Sequence, residues 1–314
     1  MVYIGIDVGG TGIQMGVVDE KGNIIAKGGI VTRTDLPFEE QIKQMADCAL
    51  ETLEKSGHSL IELASVGIGI PGIADPKTGV VPFCTNLGWV DVPLRETFRK
   101  YIDKPILIDN DATVAGLAES VAGVSAGTDS SVFLTLGTGV GAGIVIKGKV
   151  WSGFHGVGSE VGHMIMEIDG EPCSCGNRGC LERYTSATAI IRMAREAVAK
   201  HPDSLIMSLC GGDPSLINAK MVFDAAREGD EQGLKVFRRY ARYLGQAIAT
   251  IINFFDPEVI VLGGGVSKAG KFLLDAVRAE APKYCLYKAM PISRIELAEL
   301  GPDAGIIGAA MLGL

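Results

Sequence analysis

Positive charge is what this sequence is short of. Its 29 lysines and arginines face 37 aspartates and glutamates, giving a formal net charge of −8 over 314 residues and a pI near 5.1. A nucleic-acid surface needs a basic patch, so no nucleic-acid partner is expected. Long apolar runs are missing too. The most apolar helical stretch, residues 244–255, contains Gln246 and Asn253 and is too short to span a bilayer, so no membrane partner is expected. The opening MVYIGIDVGG has no basic leader, and Asp7 breaks its apolar run; the expectation is of no signal peptide. There is no linker or low-complexity segment.

What is present suits a soluble enzyme. The chain is 47% hydrophobic and 21% charged, and its length allows two domains. Its 42 glycines fall in short clusters between apolar runs, which favours tight turns and close backbone approach to ligands. Of seven cysteines, three lie in one cluster, and this usage points to a reducing, cytoplasmic compartment.

That cluster is the most informative stretch, running from Gly158 to Arg183. Cys173 and Cys175 are one residue apart, Cys180 follows, and His163 lies ten residues upstream of Cys173. Three sulfurs and one imidazole make a Cys3His set, which suits tetrahedral zinc. Gly176 and Gly179 sit where a chain folded around a metal needs free backbone angles. Glu160 and Glu182 flank the ligands, so a zinc locking this loop would fix two carboxylates near each other.

Along the chain, an apolar run from Val2 to Asp7 ends in Gly9-Gly10-Thr11 and is followed by strands at 15–19 and 24–27. The spacing of Phe38, Ile42, Met45, Ala49 and Leu53 predicts a helix over 36–57. Strands are expected at 64–70 and 105–109, with a helix at 93–101 and another from Asn110-Asp111 to about Ala122. Then the opening order returns: strand 131–136, Gly137-Thr138-Gly139, strand 141–146, a polar turn, and Val150-Trp151. The recurrence about 130 residues apart, with Gly-Thr in both first turns, points to a duplication of α/β halves. A helix is expected at 186–200 and a loop at 201–213. A long helix beginning at Asp230 carries the apolar stripe Leu234, Phe237, Ala241, Leu244, Ile248, Ile251 and Phe255. A strand at 259–262 ends in Gly263-Gly264-Gly265. After it come a helix at 268–281, a strand at 292–298 and a last helix from Pro302, with a small-residue face at Gly305, Gly308, Ala309 and Ala310.

Asp7, Gly9, Gly10 and Thr11 make a turn whose bare N–H groups could point at a phosphate, or could simply close a hairpin. It is neither a P-loop nor a dinucleotide fingerprint. A second such turn at Gly137, Thr138 and Gly139 strengthens the phosphate reading, and Gly263, Gly264 and Gly265 offer a third approach suited to a nucleoside. Asp111 is the candidate base, although Asn110 or Asp111 could equally be a helix cap. Asn86, Glu160 and Glu182 could bind hydroxyl groups.

These residues resemble the ROK family (repressors, open reading frames and kinases), and among its members the bacterial glucokinases. The resemblance rests on Ile6 to Thr11, Gly69-Ile70-Pro71-Gly72, Asn110-Asp111-Ala112, Leu136 to Gly141, Glu160-Val161-Gly162-His163, Cys173 to Glu182 and Gly263-Gly264-Gly265. It implies an α/β, actin-like (hexokinase-type) fold: a duplicated ribonuclease-H-like architecture of two domains closing on ATP and a sugar. The expected domains are 1–112 plus 301–314, and 113–300. It implies ATP-dependent phosphorylation of glucose at the 6-hydroxyl with Asp111 as general base. Mg2+ would accompany ATP, with Asp7 near it. Asn86, Asn110, Glu160, His163 and Glu182 would bind sugar hydroxyls, and a structural Zn2+ on His163, Cys173, Cys175 and Cys180 would shape the sugar pocket. A homodimer or homotetramer is implied as well.

Alternatives within the resemblance are a kinase for N-acetylglucosamine, N-acetylmannosamine, mannose or fructose, and a sugar-responsive regulator without catalysis. Repressor members carry a DNA-binding segment ahead of this domain; here the sequence begins at the first strand, so none is expected. Many relatives carry Lys or Arg just after the Gly-Gly-Thr turn, where this chain has Gly12, Ile13 and Gln14.

Overall fold

Alternation makes the first strand two-sided. Along β1 (Val2–Val8), Val2, Ile4, Ile6 and Val8 join one core with Ile42, Met45 and Leu53. Tyr3 joins another with Leu117, Ile306 and Ile307. This is the period-two pattern of a strand covered on both faces. The computed structural model describes residues Met1–Leu314.

β2 (Gly12–Asp19) and β3 (Ile24–Val31) follow β1 as antiparallel neighbours. α1 (Phe38–Lys55) buries Ile42, Met45, Ala49 and Leu53. β4 (Leu63–Ile70) comes next, then a two-stranded hairpin of β5 (Val81–Cys84) and β6 (Trp89–Val92), and α2 (Leu94–Arg99). β7 (Ile106–Asn110) adds in parallel to β4, giving the order β3-β2-β1-β4-β7, and α3 (Asp111–Ala122) starts where β7 stops.

β8 (Ser130–Leu136), β9 (Val140–Ile146) and β10 (Lys149–Val150) repeat the opening. Eight helices and two strands complete the chain: α4 (Glu182–Thr185), α5 (Ala187–Val198), α6 (Leu205–Leu209), α7 (Ala219–Arg227), α8 (Glu231–Phe255), β11 (Val259–Gly263), α9 (Gly264–Ser267), α10 (Lys271–Glu280), β12 (Arg294–Leu297) and α11 (Ala304–Met311). The second sheet runs β10-β9-β8-β11-β12. Each sheet thus places its second strand beside its third and its first beside its fourth, which is the duplicated topology expected of the actin-like fold.

The chain divides into two compact units. One is Met1–Phe133 with Gly143–Ser159 and Glu299–Leu314; the other is Leu134–Ala142 with Glu160–Ala298. The first unit extends past residue 112 and includes α3, whose Leu117 and Ala118 share a core with Ile306 and Ile307 of α11.

Some elements differ from expectation. The segment 201–213 contains α6, where a loop is expected. Its start is capped from a distance: Leu205 N donates to Asp230 Oδ1 at 2.9 Å, and Ser204 Oγ donates to Asp230 Oδ2 at 2.9 Å. The same Asp230 caps α8 through Gly233 N. Ser204 is also the local cap, its Oγ accepting from Ile206 N at 3.2 Å, but α6 is only five residues long, too short to show an apolar period. The stripe on α8 is buried at Phe237, Ala241, Leu244, Ile248 and Ile251, while Leu234 and Phe255 are half-buried. No helix is long and apolar enough to cross a membrane.

At Gly5 and Gly67 the backbone of α11 touches the first sheet directly. A Cβ at Gly67 of β4 would overlap the Ala309 carbonyl, and one at Gly308 would overlap the Val114 carbonyl of α3. Gly308→Ala is expected to lower unfolding stability by about 3 kcal/mol, since overpacking a close backbone contact forces the neighbours apart. Denaturant unfolding checks this; a loss below about 1 kcal/mol would mean that α11 moves away without penalty.

Candidate active site

In the first unit, two parallel strand pairings bring the acidic residues to one sheet edge. Asp7 of β1 pairs in register with Gly69 of β4, and Gly69 pairs with Asp109 of β7. The row is therefore Asp7, Gly69, Asp109, at the carboxyl ends of the strands, where ligands of α/β sheets gather. Both aspartyl groups are held above the ordinary carboxylate range. Burial, and then the charge of Asp111, raise the Asp7 pKa to about 6. Burial raises Asp109 to about 6 against the hydrogen bond that its carboxylate accepts from Asn110 N. Gly305, at the start of α11, leaves the room that Asp7 occupies, because a Cβ there would meet its carboxyl group.

Asn110 resolves the question of the helix cap. Its side-chain oxygen accepts from Ala112 N at 2.9 Å and Thr113 N at 3.3 Å, and its Nδ2 donates to Gly72 O at 3.0 Å. Asp111 opens α3 beside it and also accepts from Ala112 N, at 2.8 Å. The first glycine turn closes through Gly9 N donating to Gly12 O at 3.0 Å. Gly10 lies against Asn86, whose Nδ2 would be 3.6 Å from a Cβ placed at Gly10. Asp7, Gly9, Gly10, Thr11, Asn86, Asn110 and Asp111 thus all belong to the first unit.

The second unit holds the other expected residues. Gly137 N donates to Gly139 O at 3.0 Å, so this turn closes much as the first does. It is anchored to α5, with Ala187 N donating to Gly137 O at 2.7 Å and Thr188 Oγ1 to Thr138 O at 2.9 Å. Gly263 ends β11, and Gly264 and Gly265 open α9. A cavity of about 280 Å³ adjoins Gly265; Ala187, Phe223 and Val266 give it apolar walls, and Lys220 and Lys268 are among its lining residues. Sequence reading missed Lys220, Phe223 and Lys268 here. Helical spacing in 219–227 was the available signal for α7.

His163, Cys173, Cys175 and Cys180 come together as expected, with all four ligand atoms within 4.8 Å of one another. Cys173 Sγ lies 3.7 Å from His163 Nδ1, and Cys175 Sγ lies 3.7 Å from Cys180 Sγ. Metal–sulfur bonds of about 2.3 Å at the tetrahedral angle would separate two sulfurs by about 3.8 Å, so the donor set fits a tetrahedral ion. Burial and the neighbouring sulfurs push the Cys180 thiol up, a penalty that a bound cation would offset. The other ring nitrogen, His163 Nε2, faces Glu160 Oε2 at 3.9 Å. Glu182 Oε2 accepts from Val140 N at 3.0 Å, so the residue two after Cys180 is tied to the strand leaving the second glycine turn.

Two sheets of repeated topology and two matching glycine turns define an actin-like phosphate-binding protein. Comparison with known proteins agrees. The chain is 39% identical over 310 residues to a glucokinase of Thermotoga maritima, covering 98% of this chain and 96% of that protein. It is 38% identical over 311 residues to a glucokinase of Halalkalibacterium halodurans, covering 99% and 94%. Among solved structures, a ROK family glucokinase from Streptomyces griseus in complex with glucose and AMPPNP superposes with a TM-score of 0.82 at 34% identity, covering 99% of each chain. Residues 3–314 match the ROK family, and the chain belongs to it.

Sequence reading passed over Asp109, although a polar residue closing the apolar run Ile106-Leu107-Ile108 is a signal for it. Its raised pKa fixes a pH dependence. Between about pH 4 and 6 the folded protein binds more protons at Asp109 than the unfolded chain, so stability falls as pH rises through that window. Asp109→Asn is therefore expected to stabilise the protein at pH 7 by up to about 3 kcal/mol, and to change nothing at pH 3.5. Urea unfolding at the two pH values measures it; equal effects at both would contradict the assignment.

Proposed function

We propose that this ATP-dependent sugar kinase phosphorylates glucose at the 6-hydroxyl, with Asp111 as general base. The placement of Asp111 carries the reading. Asn110 caps α3, and the Asp111 carboxylate, which spends one oxygen on Ala112 N, stands at a strand end next to Asp7. Asp111 takes the proton of the 6-hydroxyl as that oxygen attacks the γ-phosphorus. The bond to the bridging oxygen breaks, and ADP leaves. A carboxylate is base enough, since phosphoryl transfer depends chiefly on positioning and charge stabilisation. The names of the two relatives support glucose as acceptor.

Asp7, Gly9, Gly10, Thr11, Gly137, Thr138 and Gly139 hold the phosphates. Gly263, Gly264 and Gly265, with the adjoining cavity, take the nucleoside. Lys268 at that cavity is the candidate for the cationic contact that Gly12, Ile13 and Gln14 do not offer. Bound Mg2+ supplies charge neutralisation at the phosphates. Asp7 fits it, because burial and then the like charge of Asp111 hold its pKa up, and a divalent cation would offset both. Asn86, Asn110, Glu160, His163 and Glu182 bind sugar hydroxyls. Zn2+ on His163 and the three cysteines has four protein ligands and no open position, which makes it structural. His163 then gives Nδ1 to the metal and Nε2 to the sugar. All seven cysteines are free thiols, which suits a cytoplasmic protein.

A coupled assay for ADP release, run with Mg2+-ATP over glucose, mannose, fructose, N-acetylglucosamine and N-acetylmannosamine, tests the reading. Glucose is expected to be preferred; preference for an acetamido sugar would move the substrate, and no sugar-dependent turnover would leave a regulator. Asp111→Asn is expected to lower kcat by about 10²–10⁴-fold with sugar binding nearly intact. Loss of both together would refute a role as base alone.

Metal analysis of protein purified without chelator is expected to find one zinc per chain, and its absence would sink the Cys3His assignment. Cys175→Ser is expected to raise the sugar KM before the nucleotide KM. The reverse order would break the link between metal and sugar pocket.

A further inference from the structure

One face of the second unit carries cationic charge that its carboxylates do not cancel. Arg238, Arg239 and Arg242 of α8 line a cavity of about 420 Å³, together with Tyr243 and Glu167. A neighbouring hollow of about 230 Å³ shares Arg239 and adds Lys200, His201 and Lys235. The whole chain has a net charge of −8, so a cationic groove runs against its average.

The acidic groups within reach are already engaged. The Glu167 carboxylate accepts from Tyr184 Oη at 3.1 Å and from Tyr243 Oη, and the two tyrosine rings stack at 4.3 Å. Glu196, in the smaller hollow, pairs with Arg192 at 2.8 Å. The arginine ion pairs of this unit are made by Arg192, Arg227 and Arg278, and none involves the three arginines of the groove. Arg238 and Arg242 stand four residues apart on one helix, where like charges destabilise unless an anion lies between them. Guanidinium groups present paired N–H donors that match phosphate oxygens. None of the residues lining either hollow belongs to the glycine turns.

We propose that this groove is a second anion site, binding a small, multiply charged phosphate compound apart from the nucleotide. The site adjoins the metal loop. Met166 N and Glu167 N donate to Gly179 O at 2.8 and 3.3 Å, and Gly179 is the residue before Cys180. An anion on the arginines would repel the Glu167 carboxylate and load this pairing, so occupancy reports to the loop that carries His163.

Calorimetry of the full chain with inorganic tripolyphosphate, at fixed ionic strength near 0.15 M, tests the site; that salt level already screens loose surface attraction. The probe can also enter the phosphate turns, so the readout is the difference between wild type and an Arg238→Ala/Arg242→Ala variant. Both side chains are exposed, and a thermal melt checks that the variant folds. One binding event per chain is expected to disappear or weaken at least tenfold, while Lys271→Ala, at an exposed side chain of α10, leaves it unchanged. Equal binding by wild type and the double variant, or none by wild type at millimolar probe, overturns the proposal. So does a change of oligomeric state in the double variant without loss of anion binding, since the groove would then face a second copy of the chain.

Discussion

Backbone meets backbone where α11 crosses the first sheet, and much of the first unit follows from that contact. Gly5 of β1 and Gly67 of β4 let the backbone of α11 touch the sheet, a Cβ at either overlapping the carbonyl of Ile306 or Ala309. A helix this close brings Ile306 and Ile307 into one core with Tyr3 and Leu117. It also sets the surroundings of Asp7, since the first turn of α11 at Gly305 packs directly against that carboxyl group. The burial that raises the Asp7 pKa is thus a product of helix packing, with the Asp111 charge acting on top of it. Structure and electrostatics at this sheet edge have one origin, the absence of Cβ atoms along a single seam.

The second unit solves a different problem. Three sulfurs and an imidazole crowd into one loop, where burial and the neighbouring sulfurs resist ionisation of Cys180, a penalty that a bound cation would offset. The loop does not stand alone, however. Glu182 binds the first amide of β9, Gly179 pairs with Met166 and Glu167, and Glu167 reaches Tyr184 and Tyr243. A change of metal occupancy would therefore be felt both at the glycine turn and on the face of α8.

The repeated order of strand, Gly-Thr turn, strand, polar turn and strand was enough to foresee two sheets of one topology, because short-range alternation carries that information. The Cys3His set was legible because three cysteines and a histidine are rare so close together. The small-residue face of α11 was legible too, but not its partner: nothing local says that Gly67, some 240 residues away, meets it. α6 was hidden because five residues are too few to show a period, even with Ser204 capping them and Asp230 bracing the start, and the β5–β6 hairpin because Pro82 interrupts a strand pattern that burial of Val81 and Trp89 sustains. Asp109 was overshadowed by its neighbours. A buried carboxyl is defined by what packs over it, which is a property of the assembled sheet.

Residues 1–133 and 299–314 belong to the first unit, while 134–142 and 160–298 build the second. Synthesis runs from the amino end, so the ribosome has finished the whole second unit before it reaches Ala304. Until α11 emerges, the sheet face holding Tyr3 and Gly5 has only α3 beside it, and the groove that α11 will fill is open to any other apolar helix of the nascent protein. The first-made part of the chain is therefore the last to be sealed, and it is there, early in sequence and late in folding, that a chaperone would have the longest opportunity to bind.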